Sequence, residues 1–273
     1  MPEPARLGVV RYWHDLTTRE VEREAGDAVV IWPLAAVEQH GPHLPLSTDV
    51  EVGKGILGAA FRALPSDARA FALPVQAVGT SLEHAEHSGT LTVSARVLED
   101  IVYDVGSSLA RSGVRRLVLF NSHGGNRATL DTAGLRLRRA HGLLVVKASY
   151  FRFPRPDDVD LPDSEWEHGL HGGAVETSMM LHLRPDLVRS EEVQRFPSLG
   201  EELEQRLTHL RPEGAASFAW TARDLNLEGV VGDAAAASAS VGARLVEHYG
   251  RCLAEVVQDA RAFPLSRLAR SEP

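Results

Sequence analysis

The sequence predicts an α/β fold built around a largely parallel sheet. Short β-branched or apolar runs alternate with longer stretches of helical period, a pattern typical of repeated strand–helix units. The runs RLVLFN (116–121) and GLLVVKASY (142–150) are almost continuously hydrophobic, as expected for strands covered by helices on both faces. We find neither an internal repeat nor a domain boundary, so residues 1–273 are predicted to form a single domain.

The first half of the chain supplies most of the predicted sheet. The predicted strands lie at residues 28–36, 70–78, 116–121 and 143–150. Apolar residues with a period near 3.6 predict the connecting helices at residues 50–64, 95–112 and 127–141.

The second half of the chain is less regular. A proline-rich, acidic stretch at 151–168 predicts a long loop, and loops of this length in compact domains are usually functional or mobile. The helix that follows is predicted to end at Arg184, because Pro185 disfavours helical geometry in the residue before it. Further helices are predicted at 201–210, which is amphipathic, and at 233–263, which is alanine-rich.

Composition narrows the class of protein. The single cysteine, Cys252, excludes an intramolecular disulfide and favours a reducing compartment. The N-terminal residues lack a secretory signal, and no apolar run is long enough for a bilayer span, so we expect a cytoplasmic protein that is not bound to a membrane. A formal net charge of -8 without a cluster of Lys or Arg argues against a nucleic-acid partner.

The stretch VEQHGPHLPLSTD (37–49) follows the first predicted strand directly and is rich in polar side chains. Ligands of doubly wound sheets bind just beyond the carboxyl ends of the strands. Glu38 and His40 are two positions apart, so in extended geometry they point to the same side. Asp49 falls at the start of the next predicted helix, where the helix dipole favours a carboxylate.

Three further segments repeat this pattern. They are GTSLEHAEHSGT (79–90) with His84, NSHGGN (121–126) with His123, and HGLHGGAVE (168–176) with His171 and Glu176. Together with 38–49, these windows hold 39 residues but seven of the twelve histidines. Imidazoles and carboxylates without thiolates are the ligands of Zn²⁺, Mn²⁺ or a similar divalent ion.

These four ordered segments resemble the signature segments of the creatininase family of metal-dependent amidohydrolases. The resemblance extends from about Val29 to Val188. It implies a three-layer α/β/α sandwich around a mostly parallel sheet, assembled as a homo-oligomer, usually a hexamer. It also implies two divalent metal ions per subunit (Zn, Mn or Fe) at the carboxyl edge of the sheet, acting on a small-molecule amide substrate.

The resemblance also implies roles for individual residues. Glu38 and His123 would hold the first metal, His40 the second, and Asp49 would bridge the two. His171 matches a family histidine that lies over the substrate. Ser81 matches a serine that contacts the substrate.

One departure from the family pattern lies beside these residues. Creatinine-cleaving members carry a glutamate two residues after the histidine at the end of the strand, as a ligand of the second metal, and Gly125 stands there in this sequence. Either Glu176 or a water is then expected to complete the second metal's shell, or the second metal is expected to bind more weakly. The departure also argues against creatinine itself as the substrate.

The chemistry expected of such a site is hydrolysis of a non-peptide or cyclic amide C–N bond by metal-activated water. We assign His171 as the proton donor to the leaving amine, with Glu176 either a ligand or the group that orients it. His84 and Trp166, the latter on the long loop, are candidates for substrate binding. Asn126 is interpreted either as the N-cap of the following helix, which is slightly favoured, or as a residue that orients a metal ligand.

Other functions remain open from the sequence alone. Within the family, a peptidase of peptide-derived cofactor maturation or a formamide deformylase is the nearest rival. A phosphate- or nucleotide-binding module could use the Gly124–Gly125 turn, although two glycines are a weak signal. A non-catalytic assembly protein with structural histidines is a third possibility. A serine hydrolase is disfavoured because no G-x-S-x-G motif is present.

Overall fold

A parallel sheet lies at the centre of the molecule. The structure, a computed structural model, describes residues 9–268. The sheet has the strand order β2-β1-β3-β4, and every pair of neighbours is parallel. Its strands are β1 (Val29–Leu34), β2 (Ala70–Ala72), β3 (Arg116–Asn121) and β4 (Leu144–Ser149).

Helices connect these strands and form most of the second half of the chain. The helices are α1 (Thr18–Glu24), α2 (Thr48–Ala63), α3 (Ala95–Arg111), α4 (Arg127–His141), α5 (Asp163–His168), α6 (Ala174–Leu183), α7 (Leu199–Arg206), α8 (Ala222–Leu225) and α9 (Ala239–Ala262). Within residues 9–268, four further strands have two residues each: β5 (Arg195–Phe196), β6 (Leu210–Arg211), β7 (Ala216–Ser217) and β8 (Gly232–Asp233).

Successive side chains of β1 point to opposite faces of the sheet, and each face packs against a different set of helices. Val29 and Ile31 pack in a cluster with residues of α2, α6 and α9. Val30, Trp32 and Leu34 point to the opposite face and pack with residues of α3 and α4. All six residues of β1 are buried, since the strand has no solvated face. The three-layer α/β/α sandwich around a mostly parallel sheet is therefore confirmed.

The second strand is shorter than the sequence predicts. Residues 70–78 were expected to be extended, but the strand covers only Ala70–Ala72. Pro74 has no backbone N–H to donate to a neighbouring strand. The chain returns to the sheet once, where Gln76 forms an isolated bridge with Leu34.

The predicted helices differ from the observed ones mainly at their ends. The final helix begins at Ala239 rather than at 233, because Ser238 caps it by accepting a hydrogen bond from the Val241 N–H at 3.2 Å. The amphipathic stretch 201–210 is helical only to Arg206. The stretch 151–168 is not all loop, since its last six residues form α5.

The register of the sheet brings two chain segments together at one edge. Leu34 at the end of β1 pairs with Asn121 at the end of β3. The segments that follow these strands therefore leave the sheet side by side. Within residues 9–268, no helix is both long and apolar enough to cross a membrane.

Candidate active site

Four buried polar side chains meet at the carboxyl edge of the sheet. Glu38 and His40 follow β1, and His123 lies two residues after β3. Asp49 lies in the first turn of α2, which brings the chain back over the same edge. None of the four is more than 4% exposed.

The first group of ligand-type atoms consists of Glu38, Asp49 and His123. The Nδ1 atom of His123 lies 3.1 Å from Oε1 of Glu38 and 3.2 Å from Oδ2 of Asp49. The three residues can direct one donor atom each at a common point, with these atoms within 4.8 Å of one another. We call this group the first cluster.

The second cluster consists of His40, Asp49 and Glu176. The Nε2 atom of His40 lies 3.3 Å from Oδ1 of Asp49 and 3.8 Å from Oε2 of Glu176. Their donor atoms also lie within 4.8 Å of one another. Asp49 therefore presents one carboxylate oxygen to each cluster.

Backbone carbonyl groups fix the orientation of both histidines. His40 donates its Nδ1–H to the carbonyl oxygen of Glu38 at 3.1 Å. His123 donates its Nε2–H to the carbonyl oxygen of Thr80 at 2.7 Å. In each ring the other nitrogen then directs its lone pair at the carboxylates, the arrangement found in metal-binding histidines.

The two clusters fit a divalent cation. Oε2 of Glu38, Nε2 of His40 and Oδ2 of Asp49 are buried and have no hydrogen-bond partner among residues 9–268. Buried polar atoms are rarely left unpaired without a functional reason. The ring nitrogens of His40 and His123 that face the carboxylates lie 3.1–3.3 Å from carboxylate oxygens. Two acceptor atoms at this distance are stable only with a positive charge between them.

The pKa values of His40 and His123 also show that the site favours a positive charge. Burial disfavours the charged form of His40, but contact with Asp49 and the charges of Glu176 and Glu38 outweigh it and raise its pKa to about 9. Burial acts likewise on His123, and Glu38 and Asp49 raise its pKa well above the usual range. A bound metal ion replaces such protons, because histidine ligates as the neutral imidazole.

Two further predicted residues lie in or beside the clusters: His171 precedes α6, and Glu176 lies in its first turn. His171 donates Nε2–H to the carbonyl oxygen of Gln39 at 2.8 Å, and its Nδ1 lies 3.9 Å from Oε1 of Glu38. Glu176 accepts a hydrogen bond from the Tyr150 hydroxyl at 2.9 Å and from the Gly172 N–H at 2.7 Å. Burial, followed by the charge of His40, lowers the pKa of His171, which keeps the ring neutral.

Glu165 is a buried carboxylate that the sequence analysis missed. It is 4% exposed and accepts hydrogen bonds from the N–H groups of Ala174 and Asp233, both at 2.6 Å. A Cβ atom on Gly173 would lie only 2.2 Å from its Oε1 atom, so the backbone approaches this carboxylate closely. Glu165 thereby joins α5 to the start of α6, which carries Glu176. Its position in the acidic stretch DDVDLPDSEWE gave no signal of burial.

His43 supports the same segment from the other side. Its Nε2 lies 3.0 Å from both the Gly172 carbonyl oxygen and the Thr177 hydroxyl, and its ring stacks on Phe196. Burial lowers its pKa to about 4, so His43 is a neutral structural group. It fixes the turn between His171 and Glu176.

Asn126 has a different role from the one favoured in the sequence analysis. It stands at the predicted N-cap position of α4, but its side chain makes no capping hydrogen bond. Its Oδ1 accepts from the Thr80 N–H at 2.9 Å, and its Nδ2 donates to the carbonyl oxygen of Ala35 and to Oδ1 of Asn121, both at 3.2 Å. Asn126 ties together the segments that follow β1, β2 and β3.

The three residues predicted to bind substrate lie in different surroundings. Trp166 is half-buried and lines the cavity described below. His84 also lines it, although its Nδ1 lies 2.8 Å from Nε2 of Gln39 and its Nε2 lies 3.5 Å from Oε1 of Glu38. Ser81 is fully buried and does not line the cavity. Its hydroxyl group lies 3.4 Å from Nε2 of His123. Ser81 therefore supports His123 in this structure.

A cavity of about 420 Å³ opens over the clusters. Carboxylates and imidazoles form part of its wall, including Glu38, Asp49, His123, His171 and Glu176. Aromatic side chains form much of the remainder: Tyr150, Phe151, Trp166, Trp220 and Tyr249. An apolar wall with a few converging polar groups is typical of a ligand site.

Glu83 occupies the space beside Gly125. A Cβ atom at position 125 would lie 2.3 Å from Oε1 of Glu83 and 2.3 Å from the carbonyl oxygen of Thr80. The backbone here therefore excludes any side chain at position 125. Glu83 lines the cavity, and the sequence analysis did not single it out although it precedes His84.

A shared carboxylate between two imidazole–carboxylate clusters, at the carboxyl edge of a three-layer sandwich, is the arrangement of a metal-dependent hydrolase. Comparison with known proteins gives the family. The family model described as "Creatininase: Creatinine amidohydrolase" matches residues 14–257. The chain belongs to the creatininase family.

The relatives of this chain do not all have the same activity. The chain is 30% identical over 219 residues to a mycofactocin precursor peptide peptidase of Mycolicibacterium smegmatis, covering 80% of this chain and 79% of that protein. It is 32% identical over 200 residues to a creatinine amidohydrolase of Pseudomonas putida, covering 67% of this chain and 75% of that protein. A solved mutant creatininase of Zn-Zn type is 27% identical with a TM-score of 0.72, covering 92% of this chain and 98% of that one.

The resemblance seen in the sequence is therefore confirmed. The chain is a metal-dependent amidohydrolase of the creatininase family. The predicted restriction to bonds other than peptide bonds is not confirmed, because relatives of similar identity are peptidases.

Proposed function

We propose that this protein hydrolyses a peptide-type amide bond with two divalent cations per subunit, zinc or manganese. Glu38, Asp49 and His123 would hold the first cation, and His40, Asp49 and Glu176 would hold the second. The observation that carries this assignment is the pair of buried clusters that share Asp49, in which Oε2 of Glu38, Nε2 of His40 and Oδ2 of Asp49 have no hydrogen-bond partner among residues 9–268.

The chain's own residues provide orientation and proton transfer. The cations, when bound, would supply an activated water and a Lewis acid for the substrate carbonyl. The Gln39 carbonyl holds the proton of His171 on Nε2, so Nδ1 is directed toward the clusters and can accept a proton. A neutral imidazole with a lowered pKa can pass that proton to the departing amine nitrogen. Glu176 is held by Tyr150 and Gly172 and so keeps a fixed position beside His40.

The size and lining of the cavity support a peptide segment as the substrate. Its volume of about 420 Å³ falls in the range of about 300–1,000 Å³ that is typical for drug-sized ligands. Its aromatic wall offers apolar contact to side chains. The peptidases among the relatives support the same substrate class, and Gly125 removes the side chain that creatinine-cleaving members carry.

Metal removal and a substrate panel test this proposal. Purified protein should bind two equivalents of zinc or manganese, lose hydrolysis after treatment with a chelator and regain it on reloading. The panel contains short peptides, creatinine and a nucleotide-derived formamide, with products followed by mass spectrometry. Faster turnover of creatinine or the formamide than of every peptide would reject the peptide assignment. Full activity in metal-free protein would reject the whole proposal.

The homo-oligomer, usually a hexamer, and the cytoplasmic location stay predictions. Light scattering coupled to size exclusion measures the mass of the assembly. A mass equal to that of one 29.7 kDa chain would contradict the predicted assembly. Fractionation of the source cells tests the location.

A further inference from the structure

Glu83 is a cavity-lining carboxylate to which the clusters assign no role. Its side chain is 21% exposed, and it lines the same cavity as His123 and His171. It belongs to neither cluster of potential ligands. It approaches His123 on the Nε2 side, whereas Glu38 and Asp49 approach Nδ1.

Within residues 9–268, no Lys or Arg side chain pairs with Glu83 within 4 Å. Its nearest basic atom is Nε2 of His123, at 3.7 Å, and the proton of that nitrogen is already donated to the Thr80 carbonyl at 2.7 Å. Arg127 also lines the cavity but pairs with Glu213 at 3.5 Å. A carboxylate that is mostly removed from water is costly unless it is paired.

The surrounding backbone holds this carboxylate in place. Residues Leu82–His84 form a short 3-10 helix, which fixes the direction of the side chain. The missing side chain at Gly125 leaves the room that Oε1 of Glu83 fills, because a Cβ atom there would lie 2.3 Å away. The Glu83 carboxyl group is therefore held at the cavity wall beside the first cluster.

We propose that Glu83 is a specificity-determining residue that binds a protonated amine of the substrate, close to the amide bond that is cleaved. The inference rests on the proposed function and narrows its substrate class to amides that carry a free amine. A charged amine fits because it supplies a positive charge and further hydrogen-bond donors to this carboxylate.

A pair of probes of equal shape tests this binding without any turnover. 2-Phenylethylamine and 2-phenylethanol differ only in the amine, and neither can be hydrolysed. Their dissociation constants are measured by titration calorimetry on the metal-loaded protein. We expect the wild-type protein to bind the amine about tenfold more tightly, the lower end of a charge-assisted hydrogen bond.

Two variants with the same change of charge separate Glu83 from general electrostatics. Glu83→Gln should lose the preference for the amine and keep both metal equivalents. Glu86→Gln alters an exposed glutamate of the same segment that does not line the cavity, and it should keep the preference. A preference that survives in Glu83→Gln, or no preference in the wild-type protein, would overturn the inference.

The result is separable from the proposed function. If the amine preference depends on Glu83 but no amide of the panel is hydrolysed, the amine subsite stands and the hydrolase assignment fails. If peptides are hydrolysed while wild-type and Glu83→Gln protein show the same ratio of dissociation constants, the hydrolase stands and the subsite fails.

Discussion

The site is assembled from two halves that are held in different ways. The strand-end half consists of Glu38, His40, Asp49 and His123, which follow β1 and β3 or begin α2. The loop half consists of Trp166, His171 and Glu176, from α5, the turn after it and α6. The first half is positioned by the pairing of Leu34 with Asn121, whereas the second depends on side chains from other parts of the chain.

This difference shows that a sheet edge and a loop position the side chains of one site by different kinds of contact. Hydrogen bonds between β1 and β3 place the segments after these strands side by side, and the Asn126 side chain ties them together. The loop half has no such ladder, so Glu165, His43 and the Gln39 carbonyl each hold one part of it. We therefore expect changes in the strand-end half to abolish metal binding, and changes in the loop half to reduce turnover or weaken one metal only.

The largest effect is expected for Asp49→Asn. The change removes the charge shared by both clusters, and hydrolysis should fall about 10³-fold or more, as when a major electrostatic group is lost. Metal analysis should show loss of both equivalents. Asp104→Asn, an exposed position on α3, is the control and should bind metal normally. Retention of both equivalents in Asp49→Asn would remove the basis for a shared ligand.

His171→Asn should lower turnover about 10²- to 10⁴-fold, the usual contribution of a proton-transfer group. It should keep both metal equivalents, because His171 supports catalysis in our assignment and is not a ligand. Steady-state kinetics and metal analysis of the same preparation check this expectation. Loss of a metal equivalent would show that His171 belongs with the ligands, which its place near Glu38 and His40 also permits.

Glu165→Gln should weaken the second metal about tenfold and leave the first unchanged, the scale expected for groups that orient a ligand. The amide end of glutamine cannot accept from both Ala174 and Asp233, so the start of α6 and Glu176 lose part of their support. Titration of metal-free protein with zinc measures the two affinities. Glu167→Gln alters an exposed residue of the same helix and serves as the control. Equal weakening of both metals would mean that the two halves are not independently held.

Gly125→Ala should have the smallest of these effects and should act first through stability. The new methyl group meets Glu83, the Thr80 carbonyl and Nε2 of His123, and overpacking of this kind typically costs about 1–3 kcal/mol. Gly124→Ala is a matched control, because a Cβ atom there meets nothing within 4 Å. Thermal unfolding of both variants makes the comparison. Equal melting temperatures would show that the strand-end half is less rigid than its packing indicates.

Much of the strand-end half could be predicted because local rules apply to it. Apolar runs identify strands, polar residues directly after parallel strands lie at one edge, and Asp49 begins a helix. The loop half was only partly predictable. His171 and Glu176 stood out by composition, but Glu165 lies in an acidic stretch that is indistinguishable from a solvated surface. Glu83 was missed for a related reason, since its importance comes from the space above Gly125.

By itself the sequence determined the α/β class, the order of the elements and the residue types able to bind cations, because periodicity and residue chemistry are properties of short segments. The family resemblance was also readable from four ordered segments. Only the tertiary structure decided that Glu176 faces His40, that the Asn126 side chain ties three segments, and that Glu83 lines the cavity beside Gly125. These facts depend on contacts between residues distant in the chain, which burial and register set and which no local pattern encodes.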